Sequence, residues 1–93
     1  MRIDVRFPGA QSLKDKRSYL RPLVDGLRNR FEVSVAETEH SDSWQRSELG
    51  IALVGAHVPT LEDAAASIER FVWAQDLEVL AIDRHWSDVI EAH

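Results

Sequence analysis

The sequence predicts an α+β domain in which two helices cover one face of a four-stranded antiparallel sheet. Three observations lead there. The stretches "RIDVRF", "FEVSVAETE" and "WQRSELGIALVG" alternate apolar with polar or small residues, the period-two pattern of half-buried strands. Two longer stretches each carry a single apolar stripe at helical spacing. Short connections then order six elements as strand, helix, strand, strand, helix, strand. The split β-α-β, or ferredoxin-like, arrangement is the simplest solution of that order, and it puts both crossover helices on the same side of the sheet.

Each element has a local reason. In "RIDVRF", Ile3, Val5 and Phe7 point one way and Arg2, Asp4 and Arg6 the other; "PGAQ" ends the strand. Ser12 reads as the cap of the first helix, with Asp15 as the acidic member of a capping box. Leu13, Leu20, Leu23, Val24, Leu27 and Phe31 form its apolar stripe. Pro22 and Gly26 interrupt that helix at a cost of about 3 and 1 kcal/mol in a helix interior. The stripe runs through both, so one kinked helix is expected rather than two.

The second strand turns Val33 and Val35 inward, "HSDS" supplies turn residues, and the third strand turns Leu49, Ile51 and Leu53 inward. Thr60 and Asp63 repeat the capping-box pattern before a second stripe of Ala64, Ala65, Ile68, Phe71, Val72 and Gln75. "LEVLAIDRHW" is the last strand and "SDVIEAH" a short tail. The last strand's facing is ambiguous: either Val79 and Ala81 or Leu80 and Ile82 point outward. The outer sheet face would then carry Arg2, Asp4 and Arg6 beside Ala52, Val54 and residues of the last strand. Small and aliphatic residues on an open face suggest a partner surface, and with it a homodimer.

The chain has 93 residues, which we take as one domain over 1–93. It contains no cysteine, which excludes disulfides, thiol nucleophiles and cysteine zinc sites. "MRIDVRFPG" lacks the apolar core of a signal peptide, and "LGIALVGAHV" is about half a membrane span. A cytoplasmic protein with no membrane partner is expected.

Charge is distributed unevenly. Residues 1–30 hold eight basic and three acidic side chains, net +5; residues 31–93 hold three and thirteen, net −10. On the first helix, Lys14, Arg17, Arg21 and Arg28 recur on one face, away from the apolar stripe. Such a ridge suits an RNA phosphate backbone. A plain solvated face, balanced by Glu62, Asp63 and Glu69 of the second helix, is the competing reading. Lys16 and Arg30 flank the stripe and can lay their stems along the core edge. The outward positions of the central strands offer no aromatic platform for stacking bases, so RNA contact would be backbone-led and salt-sensitive.

Other candidates are weaker. Acylphosphatases share this size and fold and hold phosphate at the start of the first helix, where Ser12, Lys14 and free backbone amides stand here. Their glycine-rich loop pattern is absent, and Asn29 is the only asparagine. Glu37, Glu39, His40 and Asp42 are metal-ligand types in a turn, but their spacing fixes no geometry, so no metal and no cofactor is expected. His57, His85 and His93 are scattered without evident triad partners, so no catalytic residue is assigned. Of the tryptophans, Trp44 is expected to close the hairpin end of the core, while Trp73 and Trp86 are expected at its rim.

"SLKDKR" opening the first helix, "FEVSVAE" in the second strand and "WQRSELGIALV" in the third together resemble the YlxP-like family of small bacterial proteins of unknown function. The resemblance runs from about Ile3 to Asp83 and implies the ferredoxin-like fold. It implies no catalytic residues. The family's gene neighbourhoods, rich in translation-initiation and ribosome-maturation genes, favour ribosomal RNA or a ribosome-associated protein as partner. The sequence therefore reads as a non-enzymatic module contacting RNA or a ribonucleoprotein through Lys14, Arg17, Arg21 and Arg28. A dimeric adaptor using the open sheet face is the alternative.

Overall fold

Six elements form in the expected order: β1 (Arg2–Arg6), α1 (Leu13–Arg30), β2 (Ser34–Glu39), β3 (Arg46–Ala52), α2 (Val58–Trp73) and β4 (Glu78–Asp83). The structure, a computed structural model, describes residues 1–87. The tail expected over "SDVIEAH" therefore lies, past Ser87, outside the described residues, as does His93. The strands make one sheet in the order β2-β3-β1-β4, with all three pairings antiparallel. This is the ferredoxin-like α+β fold. No helix among the described residues is long and apolar enough to cross a membrane.

The core lies between the sheet and both helices. Ile3, Val5 and Phe7 of the first strand segment meet Leu23 and Leu27 of α1, Val35 of β2, Leu49 and Ile51 of β3, and Ile68 and Val72 of α2. Each fully buried side chain of this size contributes about 1.5–3 kcal/mol. Packing along α1–β2, α1–α2 and α2–β4 seats α1 over the β2 side of the sheet and α2 over the β4 side.

The first helix starts as its sequence says. Ser12 Oγ accepts from the Asp15 amide at 3.0 Å, and Asp15 Oδ2 accepts from the Gln11 amide at 3.1 Å. The helix runs unbroken through exposed Pro22 to Arg30. Gly26 has a packing reason. A Cβ there would lie 2.6 Å from Cζ of Phe71, so only glycine lets the α2 ring come this close.

Three expectations need correction. The second helix is capped at His57, whose side chain makes no cap bond, and Pro59 occupies the first turn. Thr60 is thus inside the helix; proline's fixed φ and missing N–H favour the earlier start. Neither alternation proposed for β4 holds throughout. Asp4 pairs with Ala81 but Val5 pairs with Val79, so Leu80 is an extra residue. This bulge turns both Val79 and Ile82 toward the core and leaves Leu80 outside, 46% exposed. Trp44 does not close the core: it is 56% exposed, while Phe7 fills that end, stacked on Tyr19 at 6.0 Å.

The open sheet face carries the small and aliphatic residues expected, Ala52, Val54 and part of β4, together with paired charges. Three ion pairs cross it: Arg46 to Asp4 at 2.6 Å, Arg2 to Asp83 at 3.0 Å and Arg6 to Glu78 at 3.4 Å. Small and aliphatic residues lie between and beside these pairs, at the β2–β3 corner around Ala36, Gly50 and Ala52, and on β4 at the exposed Leu80 and Ala81. The alternation of β1 places Arg2, Asp4 and Arg6 outward, whereas their partners on β3 and β4 follow only from the register between strands.

Candidate functional site

The α1 surface next to β2 gathers most of the predicted ridge. Lys14, Arg17, Arg21 and Arg28 are all exposed. Among the described residues, Lys14, Arg17 and Arg21 have no carboxylate within ion-pair distance. Glu69, a proposed counter-charge, is paired with Arg84 instead. Two grooves flank the ridge. One, of 380 Å³, lies against β2 and includes Arg17, Arg21, Arg28 and Glu37. The other, also 380 Å³, lies on the outer side and includes Lys14, Arg17, Ser18, Arg21 and Pro22. Arg17 and Arg21 line both grooves and so form the crest between them.

Arg28 differs from the other three. Its Nη2 donates to the Val35 carbonyl of β2 at 2.7 Å, which fixes the guanidinium over the edge strand. Arg28 and Arg30 stand in the last turn and Asp15 in the first, each the sign that the helix dipole favours. Arg30 turns away from the ridge and lies over the Phe71 ring, 4.9 Å from its centroid.

A buried polar cluster underlies the β2-side groove. Lys16 is 2% exposed, and its Nζ lies 2.8 Å from Glu37 Oε2 and donates to the His40 carbonyl at 2.6 Å. Ser47, fully buried, donates its Oγ–H to the same Glu37 Oε2 at 2.5 Å. His40 itself takes a positive φ of 65°, the left-handed turn conformation, and its carbonyl also accepts from the Ser43 amide at 3.0 Å. Lys16 therefore ties α1 to both β2 and the β2–β3 turn. Sequence reasoning put Lys16 only at the core edge. The signal was present: Lys16 falls at helical spacing with Leu20, Leu23 and Leu27. Glu37 continues the inward alternation of Val33 and Val35, and Ser47 that of Leu49 and Ile51. Three polar residues at inward positions on three elements mark a polar layer.

At the helix start, the groups proposed for anion binding are engaged within the chain. Ser12 is the cap, and the Asp15 carboxylate sits on the Gln11 amide, adding negative charge where an anion would approach. Lys14 instead lines the outer groove. Among the described residues, Glu37, Glu39, His40 and Asp42 do not gather into a group able to hold a metal ion, because Glu37 points to Lys16. Trp73 and Trp86 are 60% and 45% exposed.

The arrangement is a small α+β domain with a cationic crest between two shallow grooves. The chain belongs to the family described as "Protein of unknown function (DUF503)", which it matches over residues 1–84. It is similar to the uncharacterised protein YlxP of Bacillus subtilis (strain 168), 43% identical over 47 residues. That match covers 50% of this chain and about half, 51%, of the length of the relative.

Proposed function

We propose that this chain is a non-enzymatic binding module that contacts RNA or a ribonucleoprotein through the α1 ridge. One observation carries the reading: Arg17 and Arg21 stand exposed between two grooves, unpaired among the described residues, in a chain whose remaining charge is strongly negative. Unpaired guanidinium groups on a raised crest reach phosphates without first breaking internal ion pairs. The adaptor reading has less support, since three ion pairs cross the open sheet face and divide its exposed apolar residues.

The test is binding to bacterial ribosomes and total RNA, by pelleting and anisotropy, at about 50 and 200 mM salt. Four phosphate contacts on a single strand lose about 50-fold in affinity over that range. The Arg17→Glu, Arg21→Glu variant should lose binding and keep its fold. No binding at the lower salt, or binding indifferent to salt, refutes the ridge.

A further inference from the structure

We propose that the groove between α1 and β2 seats one base of a single-stranded RNA, with Glu37 accepting a hydrogen bond from the base's exocyclic amino group. The proposal rests on the ridge reading above and adds base selectivity to it. Glu37 carries the argument. Its Oε2 is held by Lys16 Nζ at 2.8 Å and by Ser47 Oγ at 2.5 Å, both from side chains that are almost wholly buried. Its Oε1 has no partner among the described residues, and Glu37 lines the groove. A carboxylate tethered in this way cannot swing out to neutralise the arginines. It remains a fixed acceptor at the groove, in the ionised form an acceptor only.

The rest of the groove offers a nucleotide an apolar and a cationic surface, with Asp25 and Arg28 completing its lining. Leu20 and Val24, both half-buried, give an aliphatic surface for the flat face of a base. Arg17 and Arg21 stand on the crest where the attached phosphate would lie. The groove is open and shallow, and its volume of 380 Å³ stands at the lower end of small-ligand clefts. The Arg17 and Arg21 guanidinium groups favour an anion on the crest, while the carboxylates of Glu37 and Asp25 disfavour one elsewhere in the groove, where Arg28 is held on the Val35 carbonyl. The fitting ligand is therefore anionic at one end and an N–H donor at the other. Cytosine presents its N4 amino group to such an acceptor, and uracil presents a carbonyl oxygen in the same place.

The experiment compares fluorescein-labelled cytidine and uridine octamers of RNA by anisotropy at about 50 mM salt. The cytidine octamer should bind at least about fivefold more tightly, the lower end of what one good base contact discriminates. Equal affinities with a steep salt dependence overturn the groove and leave the ridge standing. Binding to neither octamer overturns the groove, and the ridge then stands or falls on the ribosome and total-RNA binding described above. Glu37→Gln strips the buried Lys16 of its counter-charge and endangers the fold, so Val24→Trp, which fills the groove from a half-buried position, is the second variant. It should abolish the cytidine preference and retain salt-sensitive binding; a preference that survives it overturns the proposal. Displacement of the cytidine octamer by an equal concentration of cytidine monophosphate overturns an RNA strand as the source of the base.

Discussion

Lys16 Nζ lies 2.8 Å from Glu37 Oε2, and the two members of this pair are buried unequally: the Lys16 side chain is 2% exposed, that of Glu37 21%. The inequality makes the cost of breaking the pair directional. Removing Glu37 leaves an ammonium in the core with only the His40 carbonyl as partner, and also takes the acceptor from Ser47. Removing Lys16 leaves a carboxylate that water can reach. We expect Glu37→Leu to cost about 3 kcal/mol or more, the usual penalty for an uncompensated buried charge. Lys16→Met, which keeps the packing, should cost about half as much. Urea unfolding of both variants and of the double variant checks this. The double should recover much of the loss from Glu37→Leu, and a purely additive result would mean that the pair is not coupled.

Gly26 is expected to resist replacement although it lies in a helix. Alanine would gain about 1 kcal/mol of helix propensity there. Its Cβ, however, would lie 2.6 Å from Phe71, whose ring is held edge-on against Phe31 at 6.1 Å and lies beneath Arg30. Overpacking of this kind costs about 1–3 kcal/mol. Gly26→Ala should therefore destabilise by about 1 kcal/mol, and Phe71→Leu in the same chain should relieve much of that loss. A rise in stability for Gly26→Ala alone would show that the ring moves aside freely.

The same two helices show where the sequence is legible and where it is not. Strand alternation identified Ile3, Val5, Leu49 and Ile51 as inward because each strand's period is local and needs no partner to be read. The bulge at Leu80 depends on how β4 registers against β1, so a single strand's pattern could only leave two alternations open. Ser12 was readable as a cap because cap and carboxylate lie within one turn. Lys16, Glu37 and Ser47 come from three elements, and their joint burial appears only when inward positions are compared across them. The exposed cations were readable from helical spacing, but the groove beside them requires β2 to lie against α1.

The ion pairs on the open face should differ in worth. Arg2 and Asp83 are both well exposed, and Asp83→Ala should leave stability without measurable change. Asp4 and Arg46 are nearer the sheet, at 22% and 43% side-chain exposure, and are joined at 2.6 Å. Asp4→Ala should cost about 1 kcal/mol, because it leaves a partly desolvated guanidinium without its acceptor. Thermal unfolding at low and at high salt separates the two: added salt should hardly alter the effect of Asp4→Ala. Equal effects of the two substitutions would mean that the inner pair is as solvated as the outer one.

Pro22 offers the opposite kind of test, since here removal should stabilise. It is exposed within α1, and as a proline it cannot donate to the Ser18 carbonyl one turn earlier. Pro22→Ala restores that donor and lifts a helix-interior penalty of about 3 kcal/mol. Against this stands the added freedom of the unfolded chain, about 0.4–1 kcal/mol. The expected net gain is about 2 kcal/mol, read as a higher unfolding midpoint in urea with an unchanged slope. Because Pro22 lines the outer groove beside Lys14, Ser18 and Arg21, the same variant also reports on RNA binding. If the ridge alone makes the contact, the stabilised variant binds as the parent does. If it binds more weakly, the exposed Ser18 carbonyl or the proline ring belongs to the contact surface, and the helix keeps its proline for binding at the expense of stability.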